Sequence, residues 1–130
     1  MGLKILHDVD ISGSNKITQN IRRTVTTASE SSGTHTCDLT KNDNFNITAT
    51  NATTTIALTV ATENIGQSGM IIITNPASVS NLSFAALPSY MLTPDGATVN
   101  FVTASNAIHI ITYYVHATNK VLCNYVGNFA

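Results

Sequence analysis

A chain of 130 residues with 43% hydrophobic and 10% charged content and a net charge of −1 is the size of one domain, and is too apolar and too neutral for disorder. Six basic residues face seven acidic ones without a basic cluster, which excludes nucleic acid as the main partner. No apolar run reaches the roughly 18 residues of a membrane span, and the start Met-Gly-Leu-Lys-Ile-Leu-His-Asp lacks a signal-peptide core, so the expectation is a chain made in the cytoplasm and used without export and without a membrane partner.

Residues 1–19 have no clear period. Leu3, Ile5 and Leu6 form an apolar start, Asp8 to Ile11 alternates, and Ser12 to Asn15 breaks the pattern. This reads as an extended N-terminal arm, with residues 20–130 as the folded domain. Asn20 to Ala28 alternates, and Glu30 to Gly33 is a turn. His35, Cys37 and Leu39 share one strand face, and Lys41 to Asn44 turns again. Phe45, Ile47 and Ala49 alternate with Asn46, Thr48 and Thr50, and Ile56, Leu58 and Val60 repeat the pattern.

After the loop Asn64 to Gly69, Met70 to Thr74 is apolar on both faces and is expected to be a central strand. Leu82 and Phe84 share a face, Leu87 to Gly96 reads as an ordered loop, and Val99 and Phe101 read as a strand. Ile108 to Val115 is the longest β signal. Ala117 to Lys120 turns it back as a hairpin, and Val121, Cys123 and Tyr125 return opposite. About nine short strands without a convincing helix predict an all-β, antiparallel sandwich with a jelly-roll-like plan.

The charges are unevenly placed. From Asn44 to Ala130 only Glu63, Asp95 and Lys120 are charged, and the other ten lie in the first 43 residues. An ordinary domain would place about twenty in that stretch. A neutral exterior protects poorly against self-association, so the body is expected to touch other chains.

Little in the chain carries chemistry. Beyond Asn44, Glu63 and Asp95 are the only carboxylate side chains, each in a loop, where acid–base catalysis would need two converging carboxyls. His35 and Cys37 could chelate a metal with His109, or form a buried polar face satisfied by hydrogen bonds; the second is the expectation, with no metal and no cofactor. There is no nucleophile elbow and no phosphate loop. Cys37 and Cys123 are expected as reduced, buried thiols. Tyr113 and Tyr114 point to opposite faces, so one of them is outside. Tyr90 and Tyr114 are the candidate oligomer or ligand surface.

Four segments carry a resemblance: Leu39 to Thr48, Gly66 to Thr74, Thr103 to Val115, and Lys120 to Ala130 with its closing Phe129. In order and spacing they resemble a β-rich module of tailed-phage virion proteins, found in capsid decoration (cement) proteins and in fibre or tail-spike modules. Leu87-Pro88-Ser89-Tyr90-Met91 stands where that module often has an aromatic-Pro-Gly-Gly stretch. The resemblance implies a non-enzymatic virion part, usually a homotrimer. A small body with a charged lead suits a decoration protein on the outer capsid surface, with the major capsid protein as partner. Leu3, Lys4, Ile5, Leu6, Asp8, Asp10 and Lys16 would form the capsid-binding arm. The alternative is a fibre module in which Tyr90 or Tyr114 stacks on a receptor glycan.

Overall fold

The computed structural model describes residues 24–130. The arm at 1–19, with Leu3, Lys4, Ile5, Leu6, Asp8, Asp10 and Lys16, lies outside the described residues. Ten strands follow in chain order: β1 (Val25–Thr27), β2 (Ser29–Ser31), β3 (Thr34–Asp38), β4 (Asn44–Thr48), β5 (Thr53–Thr59), β6 (Ser68–Thr74), β7 (Ser83–Phe84), β8 (Met91–Leu92), β9 (Ile108–Ala117) and β10 (Lys120–Phe129). Among the described residues the only helical geometry is two short 3-10 turns, Thr62–Asn64 and Pro94–Gly96.

The strands build a six-stranded sheet, β1-β4-β6-β9-β10-β8, and a four-stranded sheet, β2-β3-β5-β7. The expected all-β sandwich stands, but the pairing inside it is mixed. It is antiparallel at β2–β3, β6–β9 and β9–β10. It is parallel at β1–β4, β4–β6, β3–β5, β5–β7 and β8–β10. The cause lies in the connections. After the β2–β3 hairpin the chain steps from one sheet to the other at each strand from β3 to β7, so each turn of this coil lays a new strand beside the last one in both sheets. Parallel neighbours need a crossover of roughly a dozen residues, and here the crossover is itself a strand of the facing sheet. Short strand spacing fits this coil as well as it fits hairpins. The corners stack by main-chain bonds: Ala28 N–H donates to Asn46 O, Leu39 N–H to Thr59 O and Ala49 N–H to Thr74 O.

Alternation places one side of β3, β4, β5, β6, β9 and β10 in the core. Phe45 and Ile47 of β4, Ile71 and Ile73 of β6, and Ile111 and Val115 of β9 are almost fully buried. They meet Cys37 of β3 and Ile56 and Leu58 of β5 in one cluster. Each such aliphatic or aromatic side chain contributes about 1.5–3 kcal/mol by leaving water. β9 and β10 form the long hairpin expected from their Ile, Val and Tyr content, turned at Thr118 and Asn119.

The four resembling segments contain β4, β6, β9 and β10, which are adjacent in the six-stranded sheet. The turn before β4 is gripped from the loop that precedes β6 and from β9. Asn64 Nδ2 and Gln67 Nε2 donate to Leu39 O, Gln67 Nε2 also donates to Asn42 O, and the Tyr113 hydroxyl donates to Asp43 O at 2.6 Å.

One expected strand is absent: Val99 and Phe101 lie in irregular chain, while the expected loop contributes β8. Their apolar spacing reports a ring anchor and not a ladder. The Phe101 ring stacks on Phe84 at 4.5 Å and meets Tyr125 edge-on at 5.0 Å.

Candidate functional site

The two outer faces of the sandwich differ. Outward positions of the four-stranded sheet are mostly hydroxyls: Ser29, Thr34, Thr36, Thr53, Thr55 and Thr59, with Asp38 at one end. Those of the six-stranded sheet are in the majority apolar, with Asn, Thr and Ser between them. Its register sets them in cross-strand rows. Leu92, Leu122, Tyr114 and Ser68 form one row, and Asn124, Thr112, Met70, Asn44 and Val25 the next. Val126, Ile110, Ile72, Asn46 and Thr27 form a third, and Phe129, Ile108, Thr74 and Thr48 a fourth. No Asp, Glu, Lys or Arg stands in any row. Of the ten exposed large hydrophobics among the described residues, eight are here: Val25, Met70, Leu92, Ile108, Tyr114, Leu122, Val126 and Phe129. A depression of about 270 Å3 opens beside Tyr114 and Leu122. Soluble monomers rarely expose a continuous apolar patch of more than a few hundred Å2, and larger ones mark contact sites.

No family model, curated protein or solved structure matches the chain.

Several titratable groups among the described residues serve the fold. Asp38 accepts from the Thr40 amide and hydroxyl and pairs with Lys41 at 3.3 Å, and the Thr40 hydroxyl bond holds its carboxyl below its ordinary pKa. Glu30 accepts the Gly33 amide at 2.6 Å. Glu63 and Asp95 are exposed in separate 3-10 turns. No three His, Cys, Asp or Glu side chains gather among the described residues, so His35, Cys37 and His109 are not brought together as a metal site. Cys37 and Cys123 are free and buried, and burial pushes both thiols up to about 12, which leaves little thiolate to react at neutral pH. A cleft of about 500 Å3 under Leu87, Pro88, Met91 and Val99 has no titratable side chain in its lining.

His109 is fully buried and engaged at both nitrogens: Nδ1 lies 2.9 Å from the Tyr125 hydroxyl and Nε2 lies 3.2 Å from Asn75 Oδ1. Asn75 spends its amide protons on Val102 O and Ala104 O, so its oxygen faces the imidazole as acceptor and Nε2 carries the proton. Burial lowers the pKa of His109, opposed by a main-chain bond to Val102, and burial lowers that of His35, opposed by Glu30. The unfolded chain takes these protons first, so the stability is full above the ordinary value of 6.5 and is lost as pH falls from there towards the folded values. Melting temperature is expected to fall between about pH 7 and pH 5. Thermal melts across that range check this, and a flat or rising profile would refute it.

Of the two tyrosines singled out in the sequence, Tyr114 is exposed on the apolar face and Tyr90 is not a surface platform. Tyr90 is half-buried against the core. Its hydroxyl accepts the Leu58 amide at 2.8 Å and donates to the Leu58 carbonyl at 3.3 Å, where β5 runs on past the short β7. It closes a piece of sheet edge that would otherwise lack a partner. Tyr90→Phe is expected to lose about 1–2 kcal/mol in urea titrations by leaving the Leu58 peptide unmet. A loss of glycan binding at unchanged stability would contradict this role.

The face itself was missed in the sequence, although its signal is there. Met70 to Ile73 is apolar on both sides, which suggested burial on both sides. In the single chain only Ile71 and Ile73 enter the core, while Met70 is exposed and Ile72 half-buried.

Proposed function

We propose that the protein is a non-enzymatic structural component of a phage virion: a capsid decoration protein that binds the head shell as a trimer and reinforces it. The observation that carries this reading is the outer face of the six-stranded sheet, whose four rows hold no charged residue and expose eight large hydrophobic side chains to water unless other chains cover them. Further support comes from Glu30 and Asp38, which hold turns, and from Glu63 and Asp95, which are exposed in separate ones. The resemblance of the four sheet segments to tailed-phage virion modules supplies the virion.

In this reading the body multimerises and the lead at residues 1–19, which carries Lys4, Asp8, Asp10 and Lys16, grips the major capsid protein. Deleting residues 1–19 is expected to abolish binding to empty capsids while the circular dichroism of the body stays unchanged. A truncated protein that decorates shells at full occupancy would remove the arm from the account.

A further inference from the structure

We propose that the outer face of the six-stranded sheet is covered by two further copies of this chain, arranged as a three-sided prism with the sheets facing a common threefold axis. This rests on the reading of a self-associating body and names the surface that does it.

Three observations point to copies of the same chain. The face carries no formal charge in four rows, so identical copies meet without like-charge repulsion and no oppositely charged partner is called for. The edge strands β1 and β8 are only three and two residues long, so association by strand addition has little edge to use. The footprint is also adequate. Six strands at about 4.8 Å span about 24 Å, and six residue steps along β6 add about 20 Å, giving roughly 500 Å2 in projection. Side-chain relief raises the accessible area towards the roughly 800 Å2 per partner of a standard interface.

On the β1 side of the sheet the distribution of side-chain size fits three copies better than two. Two sheets packed face to face lie about 10 Å apart everywhere, so each fills about 5 Å. In a triangular prism with sides of about 24 Å, the axis lies about 7 Å from the middle of each sheet and the gap narrows to the corners. Long side chains then belong on the central strands and shorter ones at the edges. The midline of β1-β4-β6-β9-β10-β8 falls between β6 and β9. These two strands carry Met70, Ile72, Ile110 and Tyr114. On one side β4 carries Asn44, Asn46 and Thr48 and the edge strand β1 Val25 and Thr27, while on the other side β10 and β8 keep large side chains with Leu122, Val126, Phe129 and Leu92. At the corners β1 of one copy meets β8 of the next, a head-to-tail contact that closes after three steps.

Native mass measurement of three charge variants tests this. Ile110→Glu sits at the midline, Leu122→Glu is 45% exposed and so tolerant in the single chain, and Thr36→Glu lies on the opposite face as control. Wild type and Thr36→Glu are expected as trimers. Ile110→Glu and Leu122→Glu are expected as folded monomers, with dissociation at concentrations raised on the order of 100-fold or more, because each buries an unpaired carboxylate. If Leu122→Glu folds and stays trimeric with wild-type affinity, the face is wrong while self-association stands. A wild-type dimer that both face variants dissociate would overturn the threefold arrangement. A wild-type monomer would overturn the self-associating body itself.

Discussion

Gly69→Ala is expected to cost about 3 kcal/mol of folding stability, the sum of overpacking and of a disturbed buried hydrogen bond. Gly69 lies on the inward side of β6, opposite Tyr113 of β9. A methyl there would run into the Asp43 carbonyl oxygen and stand 2.7 Å from the Tyr113 hydroxyl. That hydroxyl donates to the same carbonyl at 2.6 Å and pins the turn that enters β4. The glycine lets turn, β6 and tyrosine close together, so the methyl opens the grip on three elements at once. Because the carbonyl blocks the site by itself, adding Tyr113→Phe is expected not to rescue the variant. Urea denaturation of the single and double variants measures this, and a loss below about 1 kcal/mol for Gly69→Ala would refute the packing argument.

Asn75→Ala is the second large effect, expected at about 3 kcal/mol. Asn75 is 2% exposed and makes three side-chain bonds, two donated to Val102 O and Ala104 O at 2.8 Å and one accepted from His109 at 3.2 Å. It ties the long irregular stretch before β9 to the end of β6. Truncation leaves two carbonyls and the imidazole N–H short of partners, and a buried unmet group costs about 1–3 kcal/mol. The loss is expected with a local signature: proteolysis between residues 93 and 106 speeds up more than global unfolding does. Asn75→Asp is expected to be no better, because a carboxylate cannot donate to the two carbonyls. Uniform protection of that segment in Asn75→Ala would show that the ring stack of Phe84 and Phe101 holds it alone.

Alternation at β3, β4, β5, β9 and β10 was legible because each strand has one buried face, which a two-residue period reports directly. The parallel coil was not, since the same period serves a strand whichever way its neighbour runs. Phe101 misled because an aromatic anchor and an inward strand residue look alike in one dimension. The role of Tyr90 depends on Leu58, 32 positions away, and nothing near Tyr90 announces it. The contact face was half legible. The scarcity of charge beyond Asn44 pointed to association, and the doubly apolar Met70 to Ile73 marked a strand with something on each side. Only the sheet order shows that the second side is open in one chain and continuous with Leu122, Val126 and Ile110.

The central claim is that this open side is closed by other copies of the chain. Sedimentation equilibrium of the unmodified protein over a wide concentration range tests it most directly. The account predicts one dominant species at three times the 13.8 kDa chain mass. A single species at 13.8 kDa at every concentration would contradict it.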